Sequence, residues 1–382
     1  MKEAFITPRI KQLRSQGLAC DVHFLIMNHE PIYALIHKML GRGIVQGEKE
    51  KIIKEGVTWT GFTYRIGLKD AFRRRRNPVK YRKQMCEKFA DIILSKVDFS
   101  KYDLIHCHIP YPEGCVGTAL SRRTGLPLVI TCHGSDIHTY PQLDHSVRAM
   151  TVSVLREADR VIFVSKSLLK AAKDLGYSGE NAVVISNGVD TSHFTIQDKE
   201  MKKTELALSK KVVGYVGNLK EVKRADKLPE IFQKIRGKRK DVEFLVVGDG
   251  DLRKSIADRC NELNIKVKFT GIVPPSHIPN YINAMDVLIL PSRKEGFGCV
   301  VLEAQACGVP VVGSNCGGIP EVIAEGGVIV PDGDGFETRF AKAVVDTLNH
   351  NWDRTALRNM AIKMDWKNTV NKEIDIYNLH IK

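Results

Sequence analysis

Short apolar runs of strand length alternate with amphipathic stretches of helical length along almost the whole chain, and this alternation limits its possible folds. The runs at residues 20–26, 104–107, 128–132, 161–164 and 183–185 are separated by stretches such as 81–96 and 167–175, whose apolar residues recur at helical spacing. A second series follows at 212–216, 243–247, 266–269, 287–290, 309–312 and 328–330. Strands alternating with helices predict parallel sheets covered on both faces. Two series, parting around residues 187–194, predict two Rossmann-like domains, over 1–190 and from 191 onward. A length of 382 residues agrees, at roughly 150 per domain.

Composition narrows the class. Hydrophobic residues at 43% and charged residues at 27% are the balance of a folded, water-facing chain, and no stretch approaches the roughly 18 apolar residues that a membrane-spanning helix needs. Residues 1–17 lack the apolar core of a secretory signal. Nine cysteines are scattered with no C-x-x-C pair, which argues against a zinc ribbon and fits a reducing compartment. The expected location is cytoplasmic, peripheral on the inner face of the plasma membrane. The net charge is +14, and half of it lies between Lys69 and Lys83, where eight basic residues face one acid. Only Phe72 and Tyr81 accompany that run, so it offers no stacking platform for nucleic acid. An anionic membrane surface is the expected partner of the run, with a solvated loop as the plain alternative.

Chemistry concentrates in residues 286–321, DVLILPSRKEGFGCVVLEAQACGVPVVGSNCGGIPE. An apolar strand ends near Pro291, a glycine-rich turn follows, and residues 299–307 read as a helix stopped by Gly308. Free amides around Gly296, Phe297 and Gly298, at a helix N-terminus, suit an anion. Glu295 and Glu303 flank the same point, and carboxylates accept paired hydrogen bonds from vicinal hydroxyls. A nucleotide sugar, with diols at both ends and a diphosphate between, meets both demands.

The segment resembles the donor-binding signature of retaining GT-B glycosyltransferases of family 4, through PS-x-x-EGFG, EAQACG-x-PVV and GG-I-PE. The resemblance continues in HCH at 106–108, TCHGSD at 131–136, VSKS at 164–167, ISNGVD at 185–190, YVGNLKEVK at 215–223, VVGDGDL at 246–252 and VPDGD at 330–334, so it covers nearly the whole chain. It is similar in flavour to bacterial branches that make cell-surface polysaccharide or teichuronic-acid-type polymers. It implies two Rossmann-like domains facing a cleft, an acceptor-side domain over 1–190, a donor domain over 191–365, and a helix over 366–382 returning to the first domain.

By position, Glu303 would hold the nucleotide ribose and Glu295 the donor sugar, with backbone amides of Gly296, Phe297 and Gly298 beside the sugar and distal phosphate. Lys223 would take the family's diphosphate-binding place, preceded by Gly217 and Asn218. The family usually has an arginine where this chain has Asn218, and often a glycine at Arg224, so clamping would lean on Lys223 with Arg224. His133 would hydrogen-bond the donor sugar at the reacting centre. His106 and His108 are expected on opposite faces of their strand, with His108 the acceptor-side residue.

The implied activity is retaining, metal-independent transfer of a sugar from a nucleotide diphosphate donor, a UDP-sugar by expectation, to a glycan or polyprenyl-linked acceptor. A GT-B nucleotide-sugar epimerase would instead release a free epimer without an acceptor, and an inactive glycosyltransferase-like subunit would bind donor without turning it over. No metal is assigned: the DGD triplets at 249–251 and 332–334 sit in turns where Asp and Gly are expected anyway, and GDGDL has Arg253 at the third glycine of a dinucleotide fingerprint. One expectation concerns the start. Ala4, Phe5, Ile6, Ile10 and Leu13 already read as a helix, where the family places a strand and a glycine-containing loop first. The coding region upstream is therefore expected to hold an apolar strand followed by such a loop.

Overall fold

The computed structural model describes residues 6–29, 51–54 and 56–381, and the expectations at Ala4 and Phe5 lie outside them. The chain divides into two compact units, one of residues 1–185 with 370–382 and one of residues 186–369. The division falls a few residues before the expected 190, and the helix Trp366–Asn378 contributes its residues from Val370 onward to the first unit.

In the first unit the described strands form two sheets. β1 (Val22–His29) pairs in parallel with β3 (Val57–Ile66), which pairs antiparallel with β2 (Lys51–Lys54). β4 (Ile105–His108), β5 (Leu128–Cys132), β6 (Arg160–Phe163) and β7 (Ala182–Val184) follow in order as a parallel sheet. The sequence reading missed β2 and β3 and expected only parallel sheets. In β3 the signal was present: Val57, Trp59, Phe62 and Tyr64 are buried, and the intervening Thr58, Thr60 and Thr63 are half-buried. Gly61 breaks the period, because a Cβ there would lie 2.5 Å from Ile26 Cδ1.

The second unit is a six-stranded parallel sheet in the order β10 (Val267–Gly271), β9 (Val242–Val247), β8 (Lys211–Val216), β11 (Val287–Leu290), β12 (Val311–Ser314) and β13 (Gly327–Val330). Its core packs the helix Leu228–Lys238 and the helix Phe336–Asn349 on one face, with Phe232 stacked on Phe244 at 4.3 Å between centroids. Such rings each contribute roughly 1.5–3 kcal/mol by burial. The loops after β8 and β9 pinch together. Gly248 has φ 125°, and a Cβ there would sit 2.1 Å from the Gly217 carbonyl oxygen. This close approach holds the Gly217–Asn218 turn at the carboxyl end of the sheet, where open α/β sheets bind ligands.

Candidate functional site

In the second unit, Lys223 ends a short 3-10 turn after β8, and Glu295 lies in the loop after β11. Arg293 ties the two loops together. Its guanidinium grips both oxygens of Asp226 at 2.5 and 2.8 Å, and its backbone N–H donates to the Val222 carbonyl at 2.9 Å. Lys223 Nζ then donates to Glu295 Oε2, and both side chains are largely covered. Glu303 lies on the helix Cys299–Ala306, which starts after Gly298 in the left-handed region at φ 94°.

Cys299, the first residue of that helix, locates the charges. Burial pushes its thiol up to about 12, and the carboxylates of Glu303 and Glu295 push the same way, while the Asn187 side chain donating to it and Lys223 oppose them. Both acids and the lysine thus act electrostatically on the same thiol at the helix start. Phe297 is only 3% exposed, so its ring belongs to the core and only its backbone can serve a ligand. Arg224 is engaged elsewhere. It sits in the left-handed region at φ 53°, bonds Asp332 at 2.7 Å and stacks over Phe336 at 3.9 Å. That backbone is one glycine adopts without strain.

Burial alone pushes the Glu303 carboxyl from 4.5 up to about 7. The folded state therefore holds this proton more tightly than the unfolded chain, and stability falls as pH rises from about 4.5 to about 7 and stays reduced above. Glu303→Gln removes the penalty. Its unfolding midpoint should exceed the parent's by about 2–6 °C at pH 8, with no difference at pH 4, in thermal scans without nucleotide. An equal difference at both pH values would contradict the assignment.

In the first unit, His133 follows β5, and Asp136 fixes its turn by accepting from the backbone N–H groups of His133 (3.1 Å) and Gly134 (2.5 Å). His108 Nδ1 lies 3.0 Å from His133 Nε2. His106 and His108 stack at 4.7 Å, so the expectation of opposite faces was wrong. Residues two apart on a strand share a face, and Cys107 takes the other one. The sequence reading also missed Arg9, Thr131, Glu373 and Tyr377, which surround these histidines. A signal existed for Arg9, a charge on the same helical stripe as Ile6 and Leu13.

Residues 54–193 match the family described as Glycosyltransferase Family 4, and residues 210–350 match Glycosyl transferases group 1. The chain belongs to glycosyltransferase family 4. This family 4 chain is 30% identical over 228 residues to the N-acetyl-alpha-D-glucosaminyl L-malate synthase of Bacillus anthracis, covering 59% of each chain. It is 30% identical over 227 residues to the putative teichuronic acid biosynthesis glycosyltransferase TuaC of Bacillus subtilis, covering 58% of this chain and 56% of that one. The matches thus span less than two thirds of either relative. Among solved structures, Anabaena HepE in complex with UDP and glucose superposes with a TM-score of 0.66 at 23% identity, over 85% of this chain and 86% of that one. The family 4 chain has the GT-B fold, a pair of Rossmann-like domains.

Proposed function

We propose that this protein transfers a sugar from a nucleotide diphosphate donor, a UDP-sugar, to a glycan or polyprenyl-linked acceptor, with retention of configuration and without a metal. The pairing of Lys223 with Glu295, in the loop that leads into the helix Cys299–Ala306 bearing Glu303, carries this reading. It supplies a cation for a diphosphate and two carboxylates for diols. The UDP in the HepE structure and the polymer-making TuaC name support the donor and acceptor classes. Glu303 takes the ribose, Glu295 the sugar and Lys223 the diphosphate, and His133 makes the sugar contact that the family resemblance assigns to it. The acceptor oxygen bonds the anomeric carbon on the face from which the diphosphate departs, and a departing phosphate oxygen takes the acceptor's proton. Lys223 stabilises the charge that builds on the leaving group.

The test is product analysis with UDP-sugars and polyprenyl-diphosphate sugars, in EDTA, with the anomeric configuration read by NMR. A retained glycoside is expected. A free epimer formed without acceptor, or donor binding without turnover across the acceptor panel, would overturn the proposal.

The basic run fits docking on an anionic membrane. The helix Leu68–Arg76 exposes Phe72 together with Arg73, Arg74, Arg75 and Arg76, and Lys69, Val79, Lys80 and Lys83 are also exposed. Arg82 does not join them, because its guanidinium bonds Asp144, Ser146 and Tyr111. Each surface cation near anionic lipid contributes up to about 1 kcal/mol. Changing Arg73, Arg74, Arg75 and Arg76 together to Gln should sharply reduce co-sedimentation with phosphatidylserine-containing vesicles at low salt. Equal pelleting of parent and variant would remove the membrane from this picture.

A further inference from the structure

One carboxylate in the second unit is surrounded by more cations than it can neutralise. Asp286 precedes β11, and its side chain is 7% exposed. Its Oδ2 lies 3.0 Å from Lys203 Nζ and accepts from the Val212 N–H at 2.9 Å. Its Oδ1 accepts from Lys199 Nζ at 3.2 Å and, more loosely, from Lys211 Nζ at 3.5 Å. Arg354 adds a fourth cation, and it bonds only uncharged groups, the carbonyls of Gln197 and Cys307 and the Asn283 side chain. Lys199 and Lys203 lie on the helix Lys199–Glu205, and Lys211 opens β8. The cluster therefore stands at the amino ends of the strands, whereas Lys223 and Glu295 follow the carboxyl ends of β8 and β11. Neither donor binding nor transfer uses it.

The three lysines differ in how they are compensated. Lys203 is buried, and two acids serve it, Asp286 and, at 3.1 Å, Glu200. Lys211 is 44% exposed, so water solvates its ammonium. Lys199 has neither advantage: its side chain is 21% exposed, and it shares one oxygen of an acid already engaged twice over. Burial, opposed by Asp286 and reinforced by Arg354 and Lys203, holds its ammonium below the ordinary lysine range. The other charged groups of its helix N-terminus are Glu200 and the capping Asp198. The helix Ile278–Asn283, packed against it, brings Tyr281 and no charge. A lysine crowded by other cations and partly withdrawn from water is the setting in which an amine becomes a nucleophile.

We propose that Lys199 is a modification site that takes the acyl group of an acyl phosphate, with the Lys211 ammonium drawing in the phosphate. The amine lone pair of Lys199 Nζ attacks the acyl carbon. The bond from that carbon to the phosphate oxygen breaks with its electron pair on oxygen, the Nζ proton passes to the departing phosphate, and an uncharged amide remains. The unneutralised cations favour an anionic acyl donor, and Lys211 is placed to meet it because it faces water beside the same carboxylate oxygen. Acylation removes one cation from the cluster and leaves Asp286 its bonds to Lys203, Lys211 and the Val212 N–H.

The test follows acetylation of the full-length protein by acetyl phosphate, with the rate at each lysine read by peptide mass spectrometry from pH 6.5 to 9.5. Lys254, exposed on the helix Arg253–Glu262, is the internal reference. At pH 7.5 Lys199 should react at least about 5-fold faster than Lys254, and its rate should level off at a lower pH, as a free amine held among cations requires. Lys211→Gln changes a half-exposed side chain and should slow Lys199 several-fold without altering Lys254. Lys211→Arg keeps the cation and should restore the rate. Lys199 no faster than Lys254, a pH profile coinciding with that of Lys254, a Lys211→Gln protein acetylated at the parent's rate, or a Lys211→Arg protein as slow as Lys211→Gln would each overturn the proposal. Sugar transfer enters none of these readouts, so the transferase reading stands or falls separately.

Discussion

Lys223→Ala should lower kcat by about 10²–10³ while leaving donor KM within a few-fold, the loss typical of removing one group that stabilises developing charge. In the unliganded protein Lys223 is paired with Glu295, and the incoming diphosphate must compete for the ammonium. The pair therefore holds the lysine in place without committing it to the ground state. Because the phosphate gains charge only as the glycosidic bond breaks, the interaction strengthens toward the transition state and appears in kcat. Glu303→Ala should behave oppositely, raising donor KM with a smaller effect on kcat, since ribose contacts change little along the reaction. A double variant settles whether Lys223 merely neutralises Glu295. If so, Lys223→Ala combined with Glu295→Gln should recover turnover; on the reading here it stays as slow as Lys223→Ala or slower. Steady-state kinetics of the three variants decide the matter, and a lysine variant altered only in KM would reverse the roles.

The parts of the molecule legible in the sequence are those written locally. The apolar runs of the second unit lie within about two residues of the observed strands, and the four central ones are legible because they are buried on both faces and read as continuous stretches. The loop and helix holding Glu295, Gly298 and Glu303 occupy one contiguous segment, so their proximity followed from spacing. Lys223 joined them through resemblance, and only the structure reveals Arg293 and Asp226 as the clasp that brings it there. The histidine cluster was less legible. Its hub pairs residue 9 with residue 373, a partnership that no periodicity encodes. The faces of His106 and His108 were misjudged although strand alternation alone decides them. Arg82 and Arg224 show a further limit: a basic residue in a run or beside a motif is available to a ligand only if no neighbouring acid has claimed it.

Gly317→Ala should abolish most activity, lowering kcat/KM by at least about 100-fold, through a contact that the substrate never touches. Gly317 follows β12 at φ 56°, and a Cβ built on it would lie 1.8 Å from the carbonyl oxygen of Glu295 and 2.8 Å from the carbonyl carbon. No rotamer relieves this, because both clashing atoms are backbone. Nor can the Glu295 loop withdraw freely. The Gly318 N–H donates to that same carbonyl at 3.3 Å, the Ser314 hydroxyl holds the Ser292 carbonyl at 2.6 Å, and Arg293 is clasped to Asp226. The loop must move by about 1 Å, carrying Glu295 and its lysine partner out of register with the helix Cys299–Ala306, a displacement that typically costs about 10²-fold in a positioned site. Gly125 supplies the control. It is equally left-handed at φ 76°, but a Cβ there meets nothing within 4 Å, so Gly125→Ala isolates the backbone strain of about 1 kcal/mol. The crowded variant should lose both UDP affinity by calorimetry and turnover, whereas the control should lose only a few degrees in its unfolding midpoint. If Gly317→Ala matches the control in donor affinity and rate, the close packing of these two loops does not hold Glu295 in place.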